Sequence, residues 1–192
     1  MMMFSMERKR EDKWKILESE YIAHRPWMTA RCDKVELPDG RIIPEYWVLE
    51  FPDWVNVIAL TKEGDMVMVR QYRHALGVTG YELCAGVMEE GETPLQAAKR
   101  ELMEETGFGG GDWTEFMSLC ANPSNHTNLA HTFLAVGVER INEQHLDESE
   151  ELTWHIMPQS EVFEMLKRDE ILQALMTAPL WKFFYEKKIS EK

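Results

Sequence analysis

Residues 14–51 are rich in β-branched and aromatic side chains, and polar and apolar positions alternate over parts of this stretch. This pattern predicts strands, and Asp39-Gly40 between two such runs is typical of a hairpin turn. A hairpin alone is marginally stable in water, so it needs a further surface to pack against. We therefore predict a strand-rich N-terminal arm, residues 1–52, that packs on the rest of the chain or on a second subunit.

Residues 53–188 show the mixed pattern of an α/β domain. Short apolar or alternating runs predict strands at residues 55–60, 66–69, 116–120, 130–138 and 152–157. Amphipathic spacing predicts helices at 160–167 and 171–185, the second interrupted near Pro179. With one further helix near residue 100, these elements predict a mixed β-sheet sandwiched between α-helices.

That further helix has the clearest start and stop signals in the chain. Thr93 and Gln96 have the spacing of a capping box, and Pro94 lies between them at the first helical position. Gly107 stands where a left-handed C-terminal cap belongs. We predict a helix over about residues 94–106.

Three glutamates share one face of this predicted helix. Glu101, Glu104 and Glu105 are spaced i, i+3 and i+4, and like charges at this spacing cost a few tenths of a kcal/mol per pair. Arg100 offsets part of that repulsion through its i+4 partner Glu104. Carboxylate oxygens are the ligands of hard divalent cations, so the cluster is a candidate metal site. A solvated acidic helix face is the alternative that the charge pattern leaves open.

The segment around this helix resembles a family signature. Gly86, Glu92 and the run Arg100–Phe108 have the identities and spacing of the Nudix box, and seven fixed identities coincide by chance at roughly 10⁻⁷ per window. The resemblance implies the Nudix fold and hydrolysis of nucleoside diphosphates linked to another group. In that family the equivalents of Glu92 and Arg100 are more often structural, pairing to hold the loop against the helix.

The resemblance also implies a metal site. In the family the equivalents of Glu101 and Glu105 bind Mg²⁺ or Mn²⁺, usually with help from the equivalent of Glu104, and two to three ions are expected here. The residue directly before the box, Ala85, would offer its backbone carbonyl to a metal.

Two fragments outside the box narrow the comparison. Gln71-Tyr72-Arg73 and Tyr81–Gly86 look like the branch that contains ADP-ribose pyrophosphatases and nucleoside-diphosphate-sugar hydrolases. That branch typically has a proline where this chain has Cys84. In the branch the N-terminal arm is exchanged across a homodimer and helps to form the nucleotide site, so the resemblance implies a homodimer.

Position by position, the branch also implies substrate-binding roles. Arg73 would meet the pyrophosphate or the terminal ribose, and Glu82 would orient the substrate or a metal-bound water. Trp27 would stack on the base, with Tyr46 or Trp47 on its second face. The alternatives are a surface ion pair for Arg73 and core or dimer packing for the aromatic residues.

The general base is sought in the acidic loop at residues 146–152. Phosphoanhydride hydrolysis needs a water that is deprotonated by a base or by a metal. The branch supplies a glutamate from this loop, and Glu150 aligns best, with Glu148 and Glu151 as neighbours that a one-residue shift would favour. A box carboxylate and a solvated loop are the alternatives.

One segment departs from the branch pattern. The branch carries an acidic pair after the strand that follows the box, whereas this chain has Asn122–Asn128 with no acidic residue. The segment is polar and turn-forming, and we expect it over the cleft, where His126 or Asn128 would contact substrate. A loop capped by asparagine side chains is equally compatible. The departure leaves ADP-ribose, another sugar nucleotide and a dinucleotide all open as substrates.

Composition limits the partners and the compartment. The formal net charge of −13 argues against nucleic acid or an anionic membrane as a standing partner. Cys32, Cys84 and Cys120 are odd in number and far apart, which favours reduced thiols. The apolar runs fall short of the ~20 residues of a membrane span, and the first residues lack the pattern of a signal peptide. We expect a cytoplasmic protein.

Three functions follow as hypotheses. The first is a metal-dependent hydrolase that splits a nucleoside diphosphate derivative into a nucleoside monophosphate and a phosphorylated remainder. The second is a Nudix module that senses a nucleotide without turnover, which the complete box disfavours. The third keeps the enzyme but changes its substrate to a dinucleoside polyphosphate; capped RNA is disfavoured by the negative charge.

Overall fold

The computed structural model describes residues 13–25, 28–147 and 150–190. These residues form two compact units. The first contains the described residues up to Phe51 together with Asn122–Asn128, and the second contains those of Pro52–Ala121 and from Leu129 onward.

The first unit is built on a three-stranded antiparallel sheet. Its strands β1 (Lys15–Arg25), β2 (Met28–Glu36) and β3 (Ile42–Glu50) pair in the order β1-β2-β3. The predicted hairpin is confirmed: the amide of Gly40 donates to the carbonyl of Leu37 at 2.9 Å between β2 and β3. Gly40 has a φ of 83°, a value that glycine adopts without steric cost.

The segment Asn122–Asn128 belongs to this unit rather than to the unit that precedes and follows it in the chain. The Leu49 amide donates to the Asn125 carbonyl at 2.7 Å, and the Thr127 amide donates to the Leu49 carbonyl at 3.2 Å. The segment therefore extends the pairing of β3 at its C-terminal end.

The second unit is a mixed sheet with helices. Its elements are β4 (Trp54–Thr61), β5 (Met66–Arg73), β6 (Val78–Glu82), β7 (Cys84–Val87), α1 (Pro94–Thr106), β8 (Phe108–Gly109), β9 (Asp112–Leu119), β10 (Ala130–Arg140), β11 (Leu152–Met157), α2 (Gln159–Lys167) and α3 (Ala174–Ser190). The main strand order is β11-β5-β4-β10-β8, with β6 on β5, β7 on β4 and β9 on β10. The β4–β10 pair is parallel and the others are antiparallel.

Successive side chains of the central strands enter two different hydrophobic cores. Val55 and Val57 of β4 pack in the core that contains Ala97 and Leu102 of α1. Ile58, on the opposite face of β4, packs in the core formed with α2 and α3. Because side chains alternate along a strand, one apolar run supplies both cores. The predicted mixed sheet between helices is confirmed.

Helix α1 has the predicted bounds and caps. The hydroxyl of Thr93 accepts from the amide of Gln96, the side chain of Gln96 accepts from the amide of Thr93, and Pro94 is the first helical residue. Gly107 ends the helix with a φ of 74°. These local signals are sufficient to place the helix within the chain.

Helix α3 differs from its predicted form. It begins at Ala174 rather than at residue 171, and Pro179 lies inside it instead of interrupting it. Proline has no N–H, so the carbonyl of Leu175, four residues earlier, lacks its usual helical donor. The side chain of Asn56 on β4 supplies a donor there, with Nδ2 at 3.1 Å from the Leu175 oxygen.

Of the helices in the described part of the chain, none is both long and apolar enough to cross a membrane.

Candidate active site

Arg100 joins the loop before α1 to the acidic face of that helix. Its Nε and Nη2 donate to the two carboxylate oxygens of Glu92 at 2.8 and 2.9 Å, and Nη2 also donates to the Val87 carbonyl at 2.9 Å. Its Nη1 donates to Glu101 at 2.9 Å and to Glu104 at 3.0 Å. The guanidinium thus neutralises part of the carboxylate cluster.

The ion pair with Arg100 changes the acidity of both partners. The hydrogen bonds from Arg100, aided by the amide of Glu89, lower the pKa of Glu92 to about 2. The same bonds, with the charge of Glu101, raise the pKa of Arg100 above its ordinary value. Both groups stay charged at neutral pH, so the loop is held to the helix.

Glu101 and Glu105 are buried, with relative exposures of 7% and 3%. Burial raises the pKa of Glu101, against the opposing charge of Arg100. Burial also raises the pKa of Glu105, to about 8, although the Cys84 thiol and the Ala85 amide, at 3.1 Å, donate to its carboxylate. The negative charge of Glu150 adds to both shifts.

Gly86 allows β7 to approach the helix closely. A Cβ atom at this position would overlap the carboxyl group of Glu101, which lies directly against the glycine. The first glycine of the box therefore keeps the space that the Glu101 carboxylate occupies.

Arg73 and Glu82 form a second ion pair beside these carboxylates. Arg73 is the last residue of β5 and Glu82 the last of β6, and these strands are antiparallel neighbours. Arg73 donates from Nε and Nη2 to the two oxygens of Glu82 at 2.9 and 2.6 Å, and Gln71 donates to Glu82 at 3.3 Å. These hydrogen bonds, with the charges of Glu82 and Glu105, raise the pKa of Arg73.

The donor set fits a hard divalent cation. Glu105 is a buried carboxylate whose hydrogen-bond donors are neutral, and a buried charge of this kind is stabilised by a cation. Within the described ranges, no three His, Cys, Asp or Glu side chains are close enough together to hold a metal ion. Glu101 and Glu104 each accept a hydrogen bond from Nη1 of Arg100, so this guanidinium neutralises part of the charge that a metal ion would neutralise.

A pocket of about 250 Å³ lies beside this cluster, within the second unit. Its lining residues include Asn56, Arg73, Ala85 and Gly86. Asn56 is 3% exposed, and its Oδ1 atom has no hydrogen-bond partner among the described residues. Asn56 lies outside the motifs described above, and its signal in the sequence is a polar residue inside the apolar run of residues 54–60.

Arg73 also lines a second pocket, of about 360 Å³. This second pocket is mostly apolar, and its walls include Leu76, Tyr81 and Leu172. Arg73 thus lines two cavities, one with polar groups and one largely apolar.

The structure brings together Arg73, Glu82, Ala85 and the box glutamates Glu101, Glu104 and Glu105 in the second unit. Glu150 is exposed in the loop before β11, where its side chain accepts from the Asp147 amide at 3.1 Å. Glu148 lies outside the described residues.

The other predicted substrate-binding residues belong to the first unit or are not described. The Tyr46 hydroxyl donates to the carbonyl of Ser124. The His126 ring packs on Phe51 with ring centroids 5.1 Å apart. Trp27 lies outside the described residues.

Family comparisons agree with this arrangement of elements. Residues 51–178 match the family model of the NUDIX domain. The chain belongs to the Nudix family. Residues 14–49 of this Nudix protein match the nucleoside diphosphate sugar hydrolase N-terminal domain.

Three relatives are 30–37% identical to the Nudix protein over the aligned residues. The ADP-ribose pyrophosphatase of Bacillus subtilis is 37% identical over 119 residues, which are 62% of this chain and 64% of that protein. The methanol dehydrogenase activator of Bacillus methanolicus is 32% identical and aligns over 82% of this chain and 85% of its own length. The ADP-ribose pyrophosphatase of Mycobacterium tuberculosis is 30% identical, over 88% and 82%.

A crystal structure titled as that of an ADP compounds hydrolase has the same fold. Its TM-score is 0.80 at 23% identity, and the match covers 95% of this chain and 98% of that one. The predictions of family, fold and enzyme class, a Nudix hydrolase of nucleoside diphosphate derivatives, are confirmed at this level.

Proposed function

We propose that this Nudix protein hydrolyses the pyrophosphate of a nucleoside diphosphate sugar, with ADP-ribose as the first candidate. One observation carries the proposal: Arg73, Ala85 and Gly86 line one pocket, the Ala85 amide donates to Glu105, and the Glu101 carboxyl lies directly against Gly86. An arginine beside carboxylates that suit divalent cations is the combination that binds a pyrophosphate. The names of two relatives, both ADP-ribose pyrophosphatases, support this substrate class.

Nudix hydrolases generally need divalent metal ions, and we propose Mg²⁺ or Mn²⁺, two to three ions, for this one. Glu101, Glu105 and the carbonyl of Ala85 would hold them, with help from Glu104. When bound, the cations would supply charge neutralisation at the phosphates and lower the pKa of the attacking water.

Arg73 is proposed to bind the substrate phosphates. Its bidentate pair with Glu82 uses one N–H of Nε and one of Nη2, so the N–H groups of Nη1 remain for phosphate oxygens. Glu82 would act by orienting Arg73. This assignment gives Glu82 a positioning role in place of direct contact with the reacting atoms.

Glu150 is proposed as the general base, with Glu104 as the alternative within the box. Glu150 is exposed, and its charge acts on both Glu101 and Glu105. Glu104 is less available to an attacking water, because its carboxylate accepts a hydrogen bond from Arg100 at 3.0 Å.

We further propose that residues 1–52 form an arm and residues 53–188 the hydrolase domain, and that the arm makes a homodimer. Several apolar side chains of β1 to β3 are half exposed, which suits a surface that a second subunit covers: Ile16, Ile22, Met28, Ile42 and Trp47. Trp27, Tyr46 and His126 would then contribute to binding the base. We also propose that the protein is cytoplasmic and has no nucleic-acid or membrane partner.

Light scattering after gel filtration tests the dimer, and a monomer at micromolar concentration would contradict it.

The activity is tested with ADP-ribose, GDP-mannose, UDP-glucose and diadenosine polyphosphates, assayed for released nucleoside monophosphate with Mg²⁺. We expect turnover of a sugar nucleotide that falls at least 100-fold in Glu105→Gln. Turnover of diadenosine polyphosphates alone would favour the dinucleotide hypothesis. Tight binding of a nucleotide without turnover would favour the sensor.

A further inference from the structure

Asn56 is a buried polar residue that the roles assigned above do not use. It lies in β4 between Val55 and Val57, pairs in register with Ala85 of β7, and is 3% exposed. A buried amide oxygen without a hydrogen-bond donor destabilises the structure that buries it. The Oδ1 atom of Asn56 has no partner among the described residues, so a ligand that donates to it would remove that destabilisation.

The orientation of the Asn56 amide follows from α3. Pro179 has no N–H for the Leu175 carbonyl, and Nδ2 of Asn56 donates to that oxygen at 3.1 Å. If the amide were turned over, its oxygen would face another oxygen. The bond to Leu175 therefore leaves Oδ1 as the atom without a partner.

The pocket that Asn56 lines also restricts the group that enters it. Arg73 supplies positive charge, Ala85 and Gly86 form a wall against the carboxylates, and Trp54 also lines the pocket. A volume of about 250 Å³ admits a sugar ring. The two phosphates of a pyrophosphate bridge between two sugars carry no proton at neutral pH that they can donate to Oδ1, whereas a sugar offers hydroxyl donors.

We propose that Oδ1 of Asn56 accepts a hydrogen bond from a hydroxyl of the sugar joined to the pyrophosphate. Asn56 then selects nucleoside diphosphate sugars over substrates that place only phosphates in this pocket. This inference rests on the proposed hydrolase function and specifies the moiety beyond the pyrophosphate.

The test compares ADP-ribose with its 2″- and 3″-monodeoxy analogues in the wild type and in Asn56→Val. In the wild type we expect one analogue to have a kcat/KM about 10- to 100-fold below that of ADP-ribose, because it leaves Oδ1 unpaired. In N56V the same ratio falls below about 3-fold. A ratio that is unchanged in N56V overturns the inference.

Thr61→Val is the matched control. Thr61 is a buried polar residue of the same strand, and its hydroxyl accepts from the Asp65 amide at 3.2 Å. T61V loses a buried hydrogen bond as N56V does, at a distance of five residues from Asn56. We expect its deoxy ratios to equal those of the wild type, which separates loss of stability from loss of selection.

Three further outcomes are decisive. If N56V does not fold, the test rests on the wild-type kinetics alone. Equal kcat/KM values for ADP-ribose and both analogues then overturn the inference. If N56V instead abolishes discrimination between ADP-ribose and IDP-ribose, Asn56 faces the base and the sugar assignment is wrong. If the wild type turns over no sugar nucleotide, the proposed function fails. The dissociation constants of ADP-ribose and its deoxy analogues are then measured by calorimetry and compared in the same way. Absence of binding overturns both the proposed function and the inference.

Discussion

Glu82 holds the guanidinium of Arg73 by two parallel hydrogen bonds, 2.9 Å from Nε and 2.6 Å from Nη2. Glu82 is buried while Arg73 is partly exposed, so the carboxylate fixes the direction in which the arginine points. Two parallel hydrogen bonds fix the plane of the guanidinium, so an arginine held in this way loses less conformational entropy when it binds a phosphate.

If Glu82 acts through Arg73, the two residues should behave as a unit. We expect Arg73→Ala to lower kcat/KM for ADP-ribose about 100-fold and Glu82→Gln about 10-fold, because the amide keeps one acceptor. The double variant should be no slower than R73A. Steady-state kinetics of the four proteins measures the cycle, and additive losses would show that Glu82 has a separate role.

Gly86→Ala should remove activity without unfolding the protein. The three atoms nearest to the added Cβ all belong to the carboxyl group of Glu101, the end of a flexible side chain that can turn away. We expect a melting temperature within a few degrees of the wild type and a loss of at least 100-fold in activity. Glu101→Ala provides the comparison: since Gly86 acts through Glu101, G86A added to E101A should cause little further loss. A G86A protein of wild-type activity would refute this role for the glycine.

The Glu92–Arg100 pair predicts a pH-dependent contribution to stability. The pKa of Glu92 is lowered to about 2 in the folded protein from 4.5 in the unfolded chain, so its contribution is full above pH 4.5 and is lost as the pH falls toward 2. We expect Glu92→Gln to lower the free energy of unfolding by about 1–3 kcal/mol at pH 7 and by progressively less below pH 4.5. Urea titrations at pH 7 and pH 3.5 measure both values.

Glu90→Gln is the control for that experiment, because Glu90 is an exposed glutamate in the same loop. E90Q should match the wild type at both pH values. A deficit in E92Q that is equal at the two pH values would mean that the charge of Glu92 is not what stabilises the loop.

Metal ions should stabilise the wild type through Glu105. An excess of Mg²⁺ at about 100 times its Kd adds about 2.7 kcal/mol to the free energy of unfolding, and we expect the melting temperature to rise accordingly. Glu105→Gln should show little or no rise. In chelator, E105Q should be at least as stable as the wild type, because it replaces a buried carboxylate with a neutral amide. An equal Mg²⁺ response in both proteins would remove Glu105 from the metal site.

Local signals in the sequence were sufficient for some elements and insufficient for others. The bounds of α1 follow from Thr93, Pro94 and Gly107, and β11 follows from its own alternation. The short strands β6, β7 and β8 have no comparable signal, because pairing with β5, β4 and β10 defines them.

In the candidate site, too, local sequence signals predicted some residues and not others. The box identified Glu101 and Glu105 through their fixed spacing, which a single helix turn preserves. The partner of Asn56 lies 119 residues away at Leu175, and the affiliation of Asn122–Asn128 depends on hydrogen bonds to Leu49. Such long-range contacts are determined by the assembled sheet, so no window of sequence contains them.

Arg100 has a consequence for how this protein matures in the cell. Because the chain carries its own cation among Glu92, Glu101 and Glu104, α1 and the loop before it can assemble during synthesis, before any ion arrives. Folding and metal loading are then separate events. A shortage of divalent ions would reduce activity and remove the stability that bound metal adds, but the loop and α1 would still be joined through Arg100.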